Sequence, residues 1–123
     1  MKPDTWHLGV LAVVANAYGV SQESILSDTR KKRPTLARHI CWYIHDADGR
    51  TQSEIGRTYG DRDHSTVAHG LARIAKLRQS DPDLEARLRS LLAACVDIRP
   101  VPQVYEITIP PGSTVNIQGL TKV

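Results

Sequence analysis

The fold of this chain is decided by residues 51–75, TQSEIGRTYGDRDHSTVAHGLARIA. Thr51 and Glu54 have the spacing of a capping box, in which each side chain accepts a hydrogen bond from the other residue's backbone amide. The box predicts a short helix that ends at Gly60. Asp63 is a favoured N-cap and predicts a second, longer helix after it. Two helices joined by such a short turn predict a helix-turn-helix.

Outside this stretch, apolar residues at helical spacing predict four further helices. The six predicted helices cover residues 5–18, 21–26, 34–47, 51–59, 64–79 and 82–96. Their apolar stripes include Leu8, Leu11, Val14 and Tyr18 in the first helix, Leu36, Ile40, Tyr43 and Ile44 in the third, Val67, Leu71, Ile74 and Leu77 in the fifth, and Leu84, Leu88, Leu91, Leu92 and Val96 in the sixth. The sequence therefore predicts an all-α, six-helix bundle that contains the helix-turn-helix.

Residues 97–123 differ in character from residues 1–96. Prolines flank Val104–Ile109 and Val115–Gln118, whose alternation and β-branched residues predict two strands. We expect a C-terminal β-hairpin-like tail that packs on the helices, stays loose, or pairs with a second chain. The last alternative gives a homodimer through residues 98–123.

Length and composition exclude several classes of protein. A chain of 123 residues is one domain with an appendage and is too short for a catalytic barrel. Its two cysteines, Cys41 and Cys95, form no C-x-x-C motif, so we expect no disulfide framework, no metal site and a reducing, cytoplasmic compartment. No apolar run approaches the roughly 18 residues that a membrane span requires. The motif G-x-x-x-x-G-K-[ST] is also missing, so we expect no ATPase activity and no cofactor.

The residue types of a catalytic triad occur once, in Asp63, His64 and Ser65. Adjacent side chains in one helical turn diverge, however, and do not align a nucleophile with its base. We therefore predict no catalytic residue and do not expect an enzyme.

Positive charge is concentrated beside the third predicted helix. The whole chain carries a net charge of only +3. Residues 29–45 nevertheless contain no acid and five cations, which are Arg30, Lys31, Lys32, Arg33 and Arg38. Such a cluster can neutralise nucleic-acid phosphates, although a basic loop can also be merely solvated.

The second helix of the helix-turn-helix gives independent support for a nucleic-acid surface. In this motif the second helix enters the major groove by its N-terminal end. His64, Ser65 and Thr66 lie at that end, with His69 on or near the same face, and their side chains suit contacts with base edges. Together with the basic cluster, they predict a DNA-binding surface.

The turn and the second helix also carry a longer motif. Gly60-Asp-Arg-Asp-His-Ser-Thr-Val67, followed by His69, resembles the signature G-G-R-D-H-[ST]-T-V-x-H of the C-terminal DNA-binding domain (domain IV) of the bacterial replication initiator DnaA family. Glu54-Ile-Gly56 before the turn, the basic cluster and Ser21–Leu26 fit the same pattern. The resemblance extends from about Leu8 to Ala94.

The resemblance implies a role for each matching residue. The implied major-groove residues are Arg62, Asp63, His64, Ser65, Thr66 and His69. Asp63 would either accept a hydrogen bond from a cytosine amino group or hold the start of the helix. The segment Arg30 to Arg33 would place one basic side chain in the adjacent minor groove and others on phosphates, and Arg38 would add a phosphate contact. The family's target is a short asymmetric box of double-stranded DNA, typically at a replication origin.

The chain departs from the family pattern at specific places. Asp61 stands where the family has a second glycine, and Leu36-Ala37-Arg38 replaces the usual Arg-Pro-Arg. The family's nucleotide-binding module has no counterpart in this sequence. We therefore expect a stand-alone, sequence-specific DNA-binding protein of a bacterium or phage that regulates replication initiation or transcription without ATPase activity. The alternative is a protein-interaction module that binds the full-length initiator or its regulators rather than DNA.

Overall fold

The structure, a computed structural model, describes residues 5–97. They form six helices: α1 (Trp6–Tyr18), α2 (Gln22–Leu26), α3 (Lys32–Ala47), α4 (Gln52–Thr58), α5 (His64–Ser80) and α6 (Pro82–Asp97). This part of the chain contains no strand, so the all-α prediction is confirmed for it. The predicted β-hairpin-like tail and the dimer through residues 98–123 lie outside the described residues and stay predictions.

The capping residues delimit the helices as predicted. The Ser21 hydroxyl accepts a hydrogen bond from the Ser24 amide at 3.0 Å at the start of α2. Both bonds of the capping box form at α4: the Thr51 amide donates to the Glu54 carboxylate at 2.8 Å, and the Glu54 amide donates to the Thr51 hydroxyl at 3.1 Å. At the end of α1, Gly19 has the left-handed φ of 63° that favours glycine.

Helix α3 begins earlier than predicted and includes part of the basic cluster. α3 begins at Lys32 rather than at Pro34, so Lys32 and Arg33 lie in its first turn. Lys31 is the N-cap residue and has an extended backbone. Pro34 is tolerated at the third helical position because the first-turn amides have no intrahelical acceptor. The first turn of α3 therefore presents exposed cations and no acid.

α3 lies at the centre of the bundle and packs against all five other helices. Its buried hydrophobic residues are Ala37, Ile40, Cys41, Trp42 and Ile44. The buried face is thus centred nearer Cys41 than the spacing predicted, and Leu36 and Tyr43 are only partly buried.

The ends of α1 and α6 also differ from the predicted stripes. Leu8 is 50% exposed and Val96 is 53% exposed, so the prediction that they are core residues was wrong. Trp6 and Cys95 are buried instead, and the Trp6 indole N–H donates to the Cys95 carbonyl at 3.2 Å. The reason is that α1 and α6 pack against each other as well as against α3. Trp6 and Cys95 lie on the helix faces that make these contacts.

α5 approaches α3 closely at Gly70. A β-carbon on Gly70 would lie 2.6 Å from Cε3 of Trp42 and 2.8 Å from Cδ2 of His39. Both distances are shorter than real carbon contacts in closely packed interiors. The separation of the two helices therefore requires glycine at this position.

Gly70→Ala should lower the free energy of unfolding by about 1 to 3 kcal/mol because the added methyl group overpacks the interface. Helix propensity alone acts in the opposite direction and favours alanine by about 1 kcal/mol. Urea denaturation measures the balance, with the exposed substitution Ala72→Gly as the propensity control. A Gly70→Ala protein more stable than wild type would contradict the close packing.

A buried polar pair joins α3 to the end of α4. His45 is 2% exposed, and its Nε2 lies 2.8 Å from the hydroxyl of the fully buried Tyr59. The His45 ring also packs against Trp6, with 5.0 Å between the ring centroids. Burial lowers the pKa of His45 to about 4, and the positive charge of Arg50 acts in the same direction. The histidine is therefore neutral in the folded protein at neutral pH.

We expect this buried histidine to make the protein less stable in mild acid. The folded pKa of about 4 lies below the ordinary value of 6.5, so the unfolded chain takes up the proton first as the pH falls. The stability due to neutral His45 is complete above pH 6.5 and is lost toward pH 4, at up to about 1.4 kcal/mol per pH unit.

Chemical denaturation across this pH range measures the slope. His45→Gln should reduce it by about the contribution of one proton. His69→Gln, which replaces an exposed histidine, is the matched control. Equal slopes for wild type and His45→Gln would show that this ring does not control acid stability.

Candidate nucleic-acid interface

The N-terminal part of α5 presents a polar surface to solvent. The exposed residues are Asp63, His64, Ser65, Thr66 and His69. Val67 and Gly70 lie on the opposite side of the same turns and are buried. The helical period therefore separates a core face from a polar face within the first two turns.

The Asp63 carboxylate holds the start of α5. It accepts hydrogen bonds from the Ser65 amide at 3.0 Å and from the Ser65 hydroxyl. These bonds from Ser65 lower the pKa of Asp63. Of the two roles that the resemblance implied for Asp63, helix capping is visible in the structure. Nδ1 of His64 lies 3.6 Å from an Asp63 carboxylate oxygen.

The basic segment, defined as Arg30 to Arg33, forms the second part of the candidate interface. All four of its side chains are exposed. It runs into the N-terminus of α3, where the first turn contains no acid and the cap residue makes no side-chain cap bond. A helix N-terminus with free amides attracts anions, so backbone and side chains here favour the same kind of ligand.

An open cleft joins the basic segment to α5. The cleft is lined by Asp28, Thr29, Arg30, Thr35, Arg38, Arg62 and Thr66. Arg30 and Thr66, which were predicted from separate parts of the sequence, therefore border the same cleft. This juxtaposition results from the packing of α3 against α5 and has no counterpart in the local sequence.

Arg38 lines this cleft but is almost entirely buried. It is 5% exposed, and its guanidinium donates to the carbonyl oxygens of Ile25 at 2.6 Å, Ser27 at 2.7 Å, Ser24 at 3.1 Å and Thr29 at 3.3 Å. Burial lowers the pKa of Arg38. Its hydrogen bonds are committed to the chain between α2 and α3, so its guanidinium is not available for the phosphate contact that the resemblance implied.

Arg62 is also engaged within the protein. It donates to the carbonyl oxygen of Tyr59 at 2.9 Å from Nε, and to those of Leu26 at 3.2 Å and Ser27 at 2.5 Å from Nη2. Its Nη1 lies 3.7 Å from a carboxylate oxygen of Asp28. Arg62 therefore ties the turn before α5 to the chain that precedes the basic segment, and little of its guanidinium is left for a base edge.

Two further cations on α5 escaped the sequence analysis. Arg73 and Lys76 are exposed and continue the helical face of His69 at i+4 and i+7. Nη1 of Arg73 lies 3.2 Å from Nδ1 of His39. Burial, followed by the charge of Arg73, lowers the pKa of His39 to about 4, so the ring is neutral and its Nδ1 accepts. Counting helical spacing onward from His69 would have found both cations.

Residues 5–97 offer no other obvious chemistry. Cys41 and Cys95 are free and buried, and burial raises their pKa values to about 12 and about 11, which keeps both thiols protonated and unreactive. No cluster of three potential metal ligands occurs in this range. None of its helices combines the length and apolar character needed to cross a membrane.

Comparison with known proteins finds similar chains over this region. A family model for the bacterial DnaA protein helix-turn-helix matches residues 9–74. The chromosomal replication initiator protein DnaA of Thermus thermophilus is 32% identical over 89 residues, which are 72% of this chain and 20% of that protein. The DnaA protein of Caulobacter vibrioides is 36% identical over 78 residues, which are 63% of this chain and 16% of that protein.

Structure comparison gives the same result. A solved crystal structure of a DNA replication initiation factor matches with a TM-score of 0.68 and 29% identity, over 75% of this chain and 28% of that chain. This chain spans about a fifth of the length of the curated relatives it matches. The matched residues include the basic segment, the turn and the polar face of α5. The resemblance inferred from the motif is confirmed, and the chain belongs to the bacterial DnaA helix-turn-helix family.

Proposed function

We propose that this protein binds double-stranded DNA sequence-specifically through its helix-turn-helix. The observation that carries the proposal is the shared surface of the basic segment and the α5 N-terminus, which border one open cleft. One side of this surface supplies exposed cations, and the other supplies exposed polar side chains at the end of a helix. Phosphate contacts fix the position of a protein on DNA, and base contacts specify the sequence.

In the proposed complex, the N-terminal turn of α5 enters the major groove. The His64 ring and the Thr66 hydroxyl contact base edges, and the Thr66 methyl group suits a thymine methyl. The Ser65 hydroxyl donates to Asp63, so its lone pairs are free to accept from a base amino group. His69, about one turn further along α5, contacts the groove wall.

The basic segment provides the phosphate and minor-groove contacts in this proposal. One of its side chains enters the minor groove beside the base-reading turn, and the others contact phosphates. The segment lies to one side of α5, so a single protein molecule contacts the two sides of its site differently. This arrangement favours a short asymmetric box rather than a palindrome.

We infer a role in replication initiation or in its regulation, or in transcription, through occupation of DNA sites. The relatives with matching sequences are chromosomal replication initiator proteins. The proposal assigns no ATPase activity and no catalytic residue to this chain, and it places the protein in the cytoplasm. The alternative, a module that binds the full-length initiator or its regulators, is motivated by the carboxylate of Asp61 beside the candidate interface.

Selection of bound duplexes from a random pool separates the two functions. Enrichment of a short asymmetric box supports DNA reading. The contrary result has two parts: no sequence is enriched, and the immobilised protein retains the full-length initiator from nuclease-treated extract. It would refute DNA binding and support the interaction module.

Substitutions in the two parts of the surface should have different effects. Thr66→Val should cost about 1 to 3 kcal/mol on the selected box and relax the preference at one base pair. Lys31→Ala should weaken binding to all duplexes alike and reduce the slope of log affinity against log salt by about 0.9. Fluorescence anisotropy over a series of salt concentrations measures both effects.

A charge-matched control for Lys31→Ala is Arg89→Ala. Arg89 is an exposed cation on α6, where it pairs with Glu85 at 3.3 Å, and it does not line the cleft. If both substitutions change the salt slope equally, the basic segment has no special part in binding. If Thr66→Val weakens all sequences alike, the base-reading role is assigned to the wrong side chain.

Asp61 should oppose DNA binding through its charge. It is exposed and has a φ of 56°, a left-handed conformation that costs a non-glycine residue roughly 1 kcal/mol. Asp61→Asn removes the charge but tolerates this backbone, so we expect about three- to tenfold tighter binding at low salt and little change in stability. Asp61→Gly should give the same affinity and about 1 kcal/mol of additional stability.

Anisotropy at two salt concentrations and urea denaturation distinguish the two effects at Asp61. The gain in affinity should shrink as salt increases because exposed charges are screened. Equal affinities for wild type, Asp61→Asn and Asp61→Gly would show that this carboxylate points away from the DNA phosphates.

A further inference from the structure

Resting on this proposed function, we propose that Arg38 is a positioning residue that holds the basic segment in place relative to α5. The buried guanidinium of Arg38 binds the backbone carbonyls of the residues that lead into the segment. Arg38 itself does not contact DNA in this proposal. Its effect on binding acts through Arg30 and its neighbours.

The hydrogen bonds of Arg38 define the contact. Nε donates to the Ile25 carbonyl at 2.6 Å, and Nη2 donates to those of Ser24 at 3.1 Å and Ser27 at 2.7 Å. Both Nη atoms lie 3.3 Å from the Thr29 carbonyl oxygen. One guanidinium thus fixes the chain from the last turn of α2 to the residue directly before the basic segment.

Arg62 binds the same backbone from the direction of the helix-turn-helix. Its Nη2 donates to the carbonyls of Leu26 and Ser27, and its Nε donates to the Tyr59 carbonyl at the end of α4. Arg38 comes from α3 and Arg62 from the turn before α5. The two guanidiniums share the Ser27 carbonyl as an acceptor and form one bracket around the α2–α3 connection.

The local environment explains why positively charged side chains bind this backbone. The last carbonyls of a helix lack the full set of intrahelical donors and form its partially negative end. At the end of α2 the Ser24 carbonyl also accepts from the Ser27 amide and hydroxyl, and the carbonyls of Ile25 and Leu26 accept from the two arginines. Arg38 is buried, and a buried charge is costly unless hydrogen bonds satisfy it. Five donor–acceptor contacts to backbone carbonyls meet that condition without a carboxylate. The guanidinium and the carbonyls therefore satisfy each other.

The bracket affects DNA binding in this proposal because the basic segment begins at the residue directly after the backbone that Arg38 binds. Arg30 comes immediately after Thr29, whose carbonyl is bound by Arg38 and whose hydroxyl accepts from the Lys31 amide at 3.3 Å. A connection that is ordered before binding loses less conformational entropy on DNA. The bracket therefore raises affinity through the cations it positions.

The first test needs no DNA. Backbone amide order parameters from ¹⁵N relaxation are compared for wild type, Arg38→Met and Arg38→Lys at a temperature where circular dichroism shows all three folded. We expect the order parameters of residues 28–31 to fall from roughly 0.85 toward 0.6 in Arg38→Met, and to fall less in Arg38→Lys, with no change at the α5 N-terminus. Unchanged values at residues 28–31 would overturn the bracket whatever the protein binds.

The second test is a double-mutant cycle on duplex binding. In the wild-type background Arg30→Ala should weaken binding about tenfold, and in the Arg38→Lys background by less than about threefold, because the cation is no longer held in place. Leu91→Ala on α6 is the matched control, since it removes buried volume far from the segment. In that background Arg30→Ala should keep its full tenfold effect.

The outcomes separate this inference from the proposed function. Additive effects of Arg38→Lys and Arg30→Ala would overturn the positioning role. If Arg30→Ala also loses its tenfold effect in the Leu91→Ala background, the cause is general destabilisation, and the positioning role is again overturned. Absence of duplex binding by wild type would refute the proposed function, while the order parameters would still decide whether the bracket exists.

Discussion

The structure depends on the close approach of α5 to α3 at Gly70. The Trp42 ring lies where a side chain on residue 70 would be, and the guanidinium carbon of Arg62 lies 6.0 Å from the centre of the same ring. Trp42 therefore contacts α5 at Gly70 and, through Arg62, the turn that precedes α5. A second close approach lies at Gly56, where a β-carbon would collide with the Arg62 carbonyl oxygen. Together these contacts fix the direction of α5 relative to the rest of the bundle.

Arg62 and Arg38 bind backbone carbonyls near the cleft, whereas the arginines of the basic segment are exposed to solvent. Arg62 joins the turn of the helix-turn-helix to the chain after α2 by binding three backbone carbonyls. Arg38 does the same for the opposite side of the cleft. Residues that look like phosphate ligands in the sequence thus stabilise the positions of those that remain exposed. In the proposed complex, the chain between α2 and α3 therefore couples the stability of the fold to DNA recognition.

The caps, the helices and the recognition turn were predictable from the sequence because they depend on residues within four positions of one another. Ser21, Thr51 and Asp63 form their cap bonds as expected. The exposure of Leu8 and the burial of Arg38 were not predictable, since both depend on which helices meet in space. A cation in a basic run gives no local indication that backbone carbonyls nine to fourteen positions away surround it. The cleft between the basic segment and α5 was inaccessible to sequence reasoning for the same reason.

The engagement of two arginines limits what electrostatics can contribute to recognition. Of the six cations that the sequence placed on DNA, Arg38 and Arg62 are bound to backbone carbonyls, which leaves the basic segment as the main source of phosphate neutralisation. Asp61 offsets part of that charge. Non-specific affinity grows with the number of phosphates neutralised, so a surface with few free cations binds random DNA weakly. In the proposed complex, discrimination between sites then comes from the polar side chains of α5, whose helix is positioned by the packing at Gly70.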